Sequence, residues 1–398
     1  MKILHISNKD SSGAGLCAYR LHTAMKLEGI DSRMLVFSKT HENDTSVMEV
    51  FKYRKFIYRC FHALLRKMGI YTFEYDRLIQ MSQRNHTCYT RPISPFDLSN
   101  HPWVQDADII HLHWVDDFFD QVKFITTIKK PIVWTLHDEN IFYGVAHYQN
   151  KIIGNNPLEI KYREIKKKMV ASSHNLNFVL LSNFFMRKFG QKSILQKHRV
   201  KVIPNSVDCS KYKMIDKKTA QNSLGLKSDF VYFVFVAYSI IDGQKGLDKL
   251  IQAVDDLNKE KDKYRIIAVG DNKGFTGYRT VIETGLIHDS HNMAMWFSAA
   301  DYFVMPSLQE AFSQSPIEAM ACGKPAIVFP VSGTEELITN KNGIVCEGFS
   351  KSDLFNGIKK ALNKEFDSNE IRRDVSERFS AQTIVKEYIT SHSLYWRL

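Results

Sequence analysis

Three features of common protein classes are missing from this 398-residue sequence. No apolar run reaches the roughly 18 to 20 residues that a membrane-spanning helix needs. The apolar part of the N-terminus, residues 2–7, is too short for a secretory signal peptide, and no small-residue cleavage site accompanies it. The six cysteines (17, 60, 88, 209, 322 and 346) form no CxxC pair, which argues against a disulfide framework or a zinc site. These absences favour a protein of the reducing cytosol.

Acidic charge is scarce in the N-terminal half. The formal net charge is +11; residues 1–190 hold 26 Lys and Arg against 18 Asp and Glu, and the remaining residues hold 28 against 25. A basic half suggests an anionic partner: nucleic acid, a phospholipid surface or a phosphorylated substrate. The sequence contains no RNA-binding signature with stacked aromatics and no helix-turn-helix pattern, so we do not expect nucleic acid as a partner.

Short apolar strands alternate with helices along the whole chain. A chain of this length is too long for one ordinary core, and near-continuous apolar strands joined by helices indicate parallel sheets covered on both faces. We therefore predict an α/β protein of two Rossmann-like doubly wound domains, residues 1–190 and 191–380, that face a cleft. The predicted strands are 2–7, 108–114, 131–138, 178–182, 230–237, 265–269, 302–305, 326–329 and 343–346.

Two glutamates lie close to the start of a predicted helix in the second half. Residues 312–314 come just before that helix, where free backbone N–H groups favour a phosphate. Glu318, on its first turns, could accept hydrogen bonds from a ribose diol, and Glu310 could bind sugar hydroxyls. Alternatively, Glu310 is a solvated loop residue and Glu318 only complements the helix dipole.

The surrounding segments resemble a known family. Residues 302–310, 318–325 and 343–345 are similar to the nucleotide-sugar half of GT-B glycosyltransferases of retaining family 4, with the pattern PS-x-x-E-G-F-G-L-P-x-x-E-A-M-A-x-G-x-P. The chain departs from the pattern at 311 and 313–315, where it has Ala, Ser, Gln and Ser. The resemblance covers most of the chain. It implies the GT-B fold, with a final helix, 381–398, that crosses back to the first domain.

The resemblance also implies roles in donor binding. Lys245 matches a lysine that contacts the donor diphosphate, although the arginine that many relatives carry a few residues earlier is missing from 238–241. The backbone around Leu286 would hold the base, and the loop containing Gly13 and Gly15 would approach the diphosphate. A plain tight turn is the alternative for these glycines. The remaining donor-binding predictions are Glu310, Phe312, Ser313, Gln314 and Glu318.

Three histidines are predicted near the reaction centre. By resemblance, His137 faces the donor sugar and joins Lys245 and Glu310 as a catalytic residue, unless it is a satisfied structural histidine. His111 and His113 alternate along a strand and therefore point to one face, on the acceptor side. With His137 they could imitate a three-histidine metal site, but the resembled family needs no catalytic metal. We therefore predict no metal and no cofactor beyond the nucleotide-sugar substrate.

Residues 52–69 contain six basic residues and no acidic one. Apolar residues recur through the segment at helical spacing. A basic amphipathic helix can lie on an anionic membrane. The alternative is an ordinary helix with a buried apolar stripe and solvated cations. Residues 160–169, which contain five Lys and Arg, are expected to form a solvated helix face.

The resemblance implies an enzyme, a retaining hexosyltransferase. It would move a sugar from a nucleotide-diphosphate donor to a glycan or undecaprenyl-diphosphate-linked oligosaccharide in bacterial surface polysaccharide (O-antigen type) biosynthesis. The expected location is cytoplasmic, with peripheral contact at the inner face of the cell membrane through 52–69. The alternatives are a non-catalytic nucleotide-sugar-binding protein of the same fold and a GT-B sugar-nucleotide epimerase.

Overall fold

A computed structural model of the protein describes residues 1–11, 13–70, 73–85, 87–149, 153–191 and 194–395, without the side chains of 391–395. The last three residues of the predicted C-terminal helix therefore lie outside the described residues. Two compact units make up the chain. The first is Met1–Leu181, Phe185–Ile203 and Glu387–Leu398, and the second is Ser182–Phe184 and Pro204–Lys386. The main division falls at 203/204, compared with the predicted 190/191.

The first unit is a parallel seven-stranded sheet in the order β3-β2-β1-β4-β5-β6-β7. Its strands are β1 (Lys2–Lys9), β2 (Asp31–Ser38), β3 (Val47–Glu49), β4 (Ile109–Leu112), β5 (Ile132–Leu136), β6 (Leu176–Leu180) and β7 (Val200–Val202). Its helices are α1 (Gly13–Leu27), α2 (Lys52–Lys67), α3 (Glu74–Asn85), α4 (Pro102–Asp106), α5 (Gln121–Thr127), a 3-10 turn (Asn140–Phe142), α6 (Pro157–Ala171) and α7 (Asn183–Phe189).

The second unit is a parallel six-stranded sheet in the order β10-β9-β8-β11-β12-β13. Its strands are β8 (Val231–Ser239), β9 (Tyr264–Asp271), β10 (Val281–Gly285), β11 (Tyr302–Met305), β12 (Ala326–Val328) and β13 (Gly343–Val345). The helices that follow α7 are α8 (Lys217–Ser223), α9 (Leu247–Asn258), α10 (Ser290–Ala299), α11 (Ser315–Ala321), a 3-10 helix (Ser332–Leu337), α12 (Lys351–Leu362), α13 (Ser368–Phe379) and α14 (Ala381–Tyr395).

The strand order reverses once in each sheet, and this reversal positions the candidate sites. In the first sheet the reversal lies between β1 and β4, where His5 is the register partner of His111. In the second sheet it lies between β8 and β11. Open parallel sheets bind ligands in the crevice at such switch points, outside the carboxyl ends of the strands. The two Rossmann-like parallel sheets confirm the predicted fold class.

Local sequence explains where several helices begin. Asp120, Asp216 and Asp289 are N-cap residues whose carboxylates accept backbone N–H groups of the first turn, and Ser350 forms a full capping box with Asp353. Such caps satisfy N–H groups that a helix leaves unpaired at its start. Among the described residues, no helix has the length and apolar character needed to cross a bilayer.

Candidate active site

The switch point of the second sheet brings two loops into direct contact. One loop follows β8 and the other follows β11. The N–H of Leu308 donates to the carbonyl of Gln244 at 2.8 Å. Gly246 has φ +76°, and a Cβ there would lie 2.2 Å from the carbonyl oxygen of Pro306. Only glycine combines this backbone conformation with such a close approach. The glycine after Lys245 therefore brings the two loops together.

Lys245 and Glu310 meet across this switch point. The Nζ of Lys245 lies 2.7 Å from Oε1 of Glu310, and both side chains are partly enclosed. Glu310 is therefore not a freely solvated loop residue. An ammonium held by a carboxylate at a strand switch point can give hydrogen bonds to an incoming phosphate, while the carboxylate can accept them from sugar hydroxyls. The structure thus places the two residues predicted to contact diphosphate and sugar side by side.

Helix α11 begins at Ser315, as the sequence led us to expect. Gln314 is its N-cap, and the N–H of Glu318 donates to the Gln314 carbonyl at 3.0 Å. The Glu318 side chain is buried on the first turn. Burial, reinforced by the Glu318 carboxylate, raises the pKa of the Cys322 thiol to about 12. The helix has only 7 residues, so its dipole is small, and Lys245 is the main positive charge of the site.

Three other predicted donor-side residues occupy different environments. The side chain of Phe312 is buried, with its ring centroid 6.3 Å from that of Phe379, so only its backbone is suited to ligand contact. Ser313 is half-buried beside it. Leu286 is exposed directly after β10, where Gly285 adopts φ +73°. All of them lie at the carboxyl edge of the same sheet.

In the first unit the predicted glycine loop has a packing role. A Cβ at Gly15 would lie 2.5 Å from the carbonyl oxygen of Lys9, so this glycine lets α1 start close against the end of β1. Gly13 begins α1 with φ +47° and has open space around its Cβ position. Residue 12 lies outside the described residues. Gly15 therefore has a structural explanation, and contact of Gly13 with a diphosphate stays a prediction.

A chain of imidazoles extends from the sheet interior to the end of β5. Nδ1 of His5 lies 3.0 Å from Nε2 of His113, and Nδ1 of His113 lies 3.2 Å from Nε2 of His137. Burial lowers the pKa of His137 to about 4 and places the pKa of His113 well below its usual value. Both rings are therefore neutral at pH 7. A neutral His137 can donate or accept a hydrogen bond without bringing charge to the site.

His111 lies deeper in the same sheet. Its Nε2 is 2.8 Å from Oγ1 of Thr135, which is in turn 2.9 Å from the hydroxyl of Tyr388 on α14. His111 and His113 share a face, as the alternation predicted, and their ring centroids are 4.3 Å apart. Both side chains are buried. Their assignment to the acceptor side stays a prediction. Because both side chains are buried, they would act on the acceptor through His137 rather than by direct contact.

The histidines that come closest to a metal-binding geometry differ from the set considered in the sequence. His5, His111 and His113 have ligand atoms within 4.8 Å of one another. The contact between His5 and His113 is itself a hydrogen-bond distance, so one of the two facing nitrogens carries a proton in the neutral pair. The absence of a catalytic metal stays a prediction.

Sequence reasoning missed a polar cluster directly after His137. The Asp138 carboxylate accepts hydrogen bonds from Nδ1 of His147 at 2.6 Å, from the Trp114 indole at 2.8 Å and from the N–H of Asn140 at 2.9 Å. Burial opposes protonation of His147, yet the Asp138 carboxylate raises its pKa well above the usual value. The cluster holds the loop after β5 and thereby positions His137. The His-Asp dipeptide at a strand end was the available signal.

Solved structures of other proteins share this fold. The chain superimposes on a HepE protein of Anabaena in complex with UDP-glucose with a TM-score of 0.65 and 18% sequence identity, covering 99% of this chain and 100% of that chain. At this identity the likeness defines the fold alone. It is the fold of GT-B glycosyltransferases.

Sequence comparisons give similarities to glycosyltransferases. Residues 216–380 match the family Glycosyl transferases group 1. An uncharacterised glycosyltransferase of Methanocaldococcus jannaschii is 25% identical over 311 residues, 73% of this chain and 76% of that protein. The alpha-monoglucosyldiacylglycerol synthase of Streptococcus pneumoniae is 26% identical over 263 residues, 61% of this chain and 56% of that protein. Together with the fold, these similarities support a glycosyltransferase of the GT-B class.

Proposed function

We propose that the protein transfers a hexose from a nucleotide-diphosphate donor to a glycan acceptor with retention of anomeric configuration. The observation that carries the proposal is the ion pair of Lys245 and Glu310 at the switch point of the second sheet. This pair combines a phosphate-binding cation and a sugar-binding carboxylate at the position where α/β sheets take ligands. The second unit would bind the donor and the first unit the acceptor.

We assign the following roles to residues of the second unit. Lys245, with the backbone N–H groups of 312–314, would hold the diphosphate; Glu318 would bind the ribose, Leu286 the base and Glu310 the sugar. The bond from the anomeric carbon to the diphosphate breaks, and a bond to the acceptor oxygen forms on the same face. The departing phosphate takes the acceptor proton. Catalysis then consists of positioning and charge stabilisation.

The first test is donor binding. We expect one class among UDP-, GDP-, dTDP- and ADP-sugars to raise the melting temperature of the wild-type protein, because a ligand that binds only the native state stabilises it by mass action. Glu318→Gln should lose that shift, and Glu335→Gln, a glutamate outside the candidate site, should keep it. Absence of any shift at millimolar nucleotide sugar would contradict the proposal.

Product analysis separates the proposal from its two alternatives. Transfer with retention gives a glycoside whose anomeric configuration, measured by NMR, equals that of the donor. A non-catalytic binder would give a thermal shift with neither hydrolysis nor transfer. An epimerase would convert the nucleotide sugar without an acceptor.

We further propose that the acceptor is linked to a lipid, as in bacterial surface polysaccharide synthesis of the O-antigen type, and that α2 contacts the inner face of the cell membrane. Helix α2 turns its apolar residues outward. Tyr53, Phe56 and Ile57 are 82%, 68% and 67% exposed, and Phe61 and Leu64 are exposed as well. This outcome differs from an ordinary helix that buries its apolar stripe.

The inner face of α2 is polar instead. Lys55 is buried with its Nζ 2.5 Å from Oε1 of Glu49, and the imidazole of buried His62 lies 2.6 Å from the Asp76 carboxylate. A second contact to Asp76 comes from Arg66 at 2.7 Å. Burying charged pairs costs free energy, and this arrangement leaves the apolar side chains and several cations on the surface. An anionic bilayer would bury the apolar side chains and attract the cations at the same time.

Vesicle flotation tests this part of the proposal. The wild-type protein should float with vesicles that contain phosphatidylglycerol and much less with pure phosphatidylcholine vesicles. The double variant Phe56→Ser, Ile57→Ser should lose flotation. Leu27→Ser is the matched control, because Leu27 is 84% exposed but lies at the end of α1. Equal flotation of the two variants would count against α2 as the membrane contact.

A further inference from the structure

A cavity of about 270 Å³ lies at the switch point of the first sheet. Lys9 at the end of β1, Trp114 and Asp116 after β4, and Tyr58 and Arg59 on α2 are among its lining residues. Small-molecule pockets usually have volumes of roughly 300–1,000 Å³. A cavity of this volume is suited to one sugar ring or one phosphorylated sugar, and it is smaller than a whole nucleotide sugar.

Two cations of the cavity have no carboxylate partner. Among the described residues, neither Lys9 nor Arg59 forms an ion pair, whereas Lys55 in the same wall is neutralised by Glu49. The guanidinium of Arg59 lies 5.6 Å from the ring centroid of Phe37, which leaves its N–H groups available. Uncommitted Arg and Lys side chains around one small cavity favour an anionic ligand, and a guanidinium suits the oxygens of a phosphate.

An acidic side chain, Asp117, also lines this cavity. Asp117 lines the cavity with φ +54°, a left-handed conformation that is uncommon for a non-glycine residue. Burial raises the pKa of its carboxyl group to about 6. Its Oδ1 lies 3.4 Å from the backbone nitrogen of Arg91 and 4.0 Å from Nε of the same residue. A carboxyl group held in this way can bind sugar hydroxyls, and strained backbone often marks a binding site.

We propose that this cavity binds a sugar phosphate, the phosphorylated end of the acceptor. Arg59 and Lys9 contact the phosphate, and Asp117 accepts hydrogen bonds from the sugar hydroxyls. The identification of this ligand as the acceptor rests on the proposed function; the site itself does not. A lipid-linked sugar phosphate and a free sugar phosphate share this chemistry. A neutral glycan would leave both cations, which are exposed, to the solvent.

Calorimetric titration of the full-length protein tests the site. The probes are hexose 1- and 6-phosphates and inositol phosphate, each measured against its phosphate-free parent at constant ionic strength. At least one phosphate should bind about tenfold more tightly than its parent. Arg59→Ala and Lys9→Ala should each remove most of this difference. Arg54→Ala, on α2 but outside the cavity, and Lys245→Ala, in the second unit, should retain it.

Two results would overturn the inference. One is that no sugar phosphate binds more tightly than its parent, and the other is that Arg54→Ala or Lys245→Ala weakens binding as much as Arg59→Ala does. The source of the ligand is distinguished by competition with a polyprenyl-phosphate-linked sugar in detergent micelles. Displacement at concentrations at least tenfold lower than the soluble phosphate indicates the lipid-linked form, and weaker displacement indicates the free form.

The proposed transferase activity can be wrong while the sugar-phosphate site is correct, and the reverse. Sugar-phosphate binding that is lost in Arg59→Ala, in a protein that transfers no sugar from any nucleotide donor, supports the site and rejects the proposed transferase. Conversely, wild-type rates of transfer in Arg59→Ala and Lys9→Ala support the transferase and reject the identification of this ligand as the acceptor.

Discussion

The two switch points of this protein have the same topology but present different side chains. In the second unit the loops after β8 and β11 present a charged pair, Lys245 and Glu310, near the start of α11. In the first unit the residues that directly follow β4 and β5, His113 and His137, present neutral imidazoles. Residues 1–203 contain 12 of the 15 histidines, and residues 204–386 contain two. One doubly wound scaffold thus supports an ion pair at one switch point and, at the other, a chain of neutral imidazoles beside the cavity that Lys9 and Arg59 line.

A second comparison concerns two amphipathic helices. α9 buries the apolar residues Leu250, Ile251 and Val254 in the core of the second unit. α2 has an apolar stripe of the same kind and exposes much of it, while Lys55 and His62 are buried. The pattern in the sequence predicts a helix in both cases. Which face is buried depends on what the neighbouring elements offer, here the carboxylates of Glu49 and Asp76 under α2.

The largest effect is expected at the charged switch point. Lys245→Ala should lower kcat by about 100- to 1,000-fold, because one electrostatic contact to the developing charge of the leaving group is lost. Lys249→Ala, one turn into α9, should stay within about threefold of the wild type. Initial rates of transfer with a saturating donor measure both. Similar losses in the two variants would mean that the second switch point has no special charge requirement.

Removal of a buried charge in the first unit should have the next largest effect, in this case on the free energy of unfolding. Lys166 on α6 is fully buried; its Nζ donates to the carbonyl of Asn140 at 2.9 Å, and burial lowers its pKa to about 8. Lys166→Met should destabilise the protein by about 3–5 kcal/mol, since nearby carboxylates lose their compensating cation. Lys167→Met removes an exposed pair with Glu164 and should cost less than about 1 kcal/mol. Urea denaturation distinguishes them, and equal costs would refute this view of Lys166.

The helix comparison can be tested by a pair of substitutions. Leu250→Ala should cost about 2–5 kcal/mol, because it opens a cavity beneath α9. Phe56→Ser should change the free energy of unfolding by no more than about 0.5 kcal/mol, because that side chain already faces solvent. Urea unfolding of the two variants in the absence of lipid is the measurement. A large cost for Phe56→Ser would place the apolar face of α2 in a protein core.

The smallest expected effect is a pH dependence of the first unit. His22 is buried between Ser32 and Ser46, and burial lowers its pKa to about 4. Between about pH 6.5 and 4 the unfolded chain binds a proton that the folded protein does not. The stability from neutral His22 is therefore complete above pH 6.5 and is lost as the pH falls towards 4.

Between pH 7 and pH 5 this loss should amount to about 2 kcal/mol. In His22→Gln the decrease in stability over that interval should be smaller by this amount. His288→Gln, an exposed position in the second unit, should follow the wild type. Urea midpoints at the two pH values provide the measurement. An unchanged pH slope in His22→Gln would show that His22 is not the titrating group.

The sequence predicted the strands nearest each switch point and missed outer elements of the first unit. β2 and β3 were not predicted, because Asp31–Ser38 contains polar residues that blur the apolar run and Val47–Glu49 has only 3 residues. α6 was predicted as a solvated face from its lysines, yet Lys166 is buried. Local pattern cannot identify a buried cation whose partners are distant in sequence.

In the candidate site, too, local features were predicted and contacts between distant residues were missed. The positions of Lys245, Glu310 and Glu318 relative to strands and to a helix start were readable from the sequence because each lies a few residues from a strong local signal. The ion pair between Lys245 and Glu310 was not readable, because it joins residues 65 positions apart. The cavity containing Arg59 was missed for the same reason. Asp138 and His147 are only 9 positions apart, but the irregular segment between them has no periodic pattern.

By itself, the sequence determined the α/β alternation, two doubly wound halves and the residue types at the second switch point, because apolar periodicity, glycines and helix caps act over a few residues. Only the tertiary structure decided that Lys245 pairs with Glu310, that His137 stays neutral at the end of an imidazole chain, and that α2 shows its apolar face to solvent. Those outcomes depend on burial and on partners brought from distant strands, which no local pattern encodes.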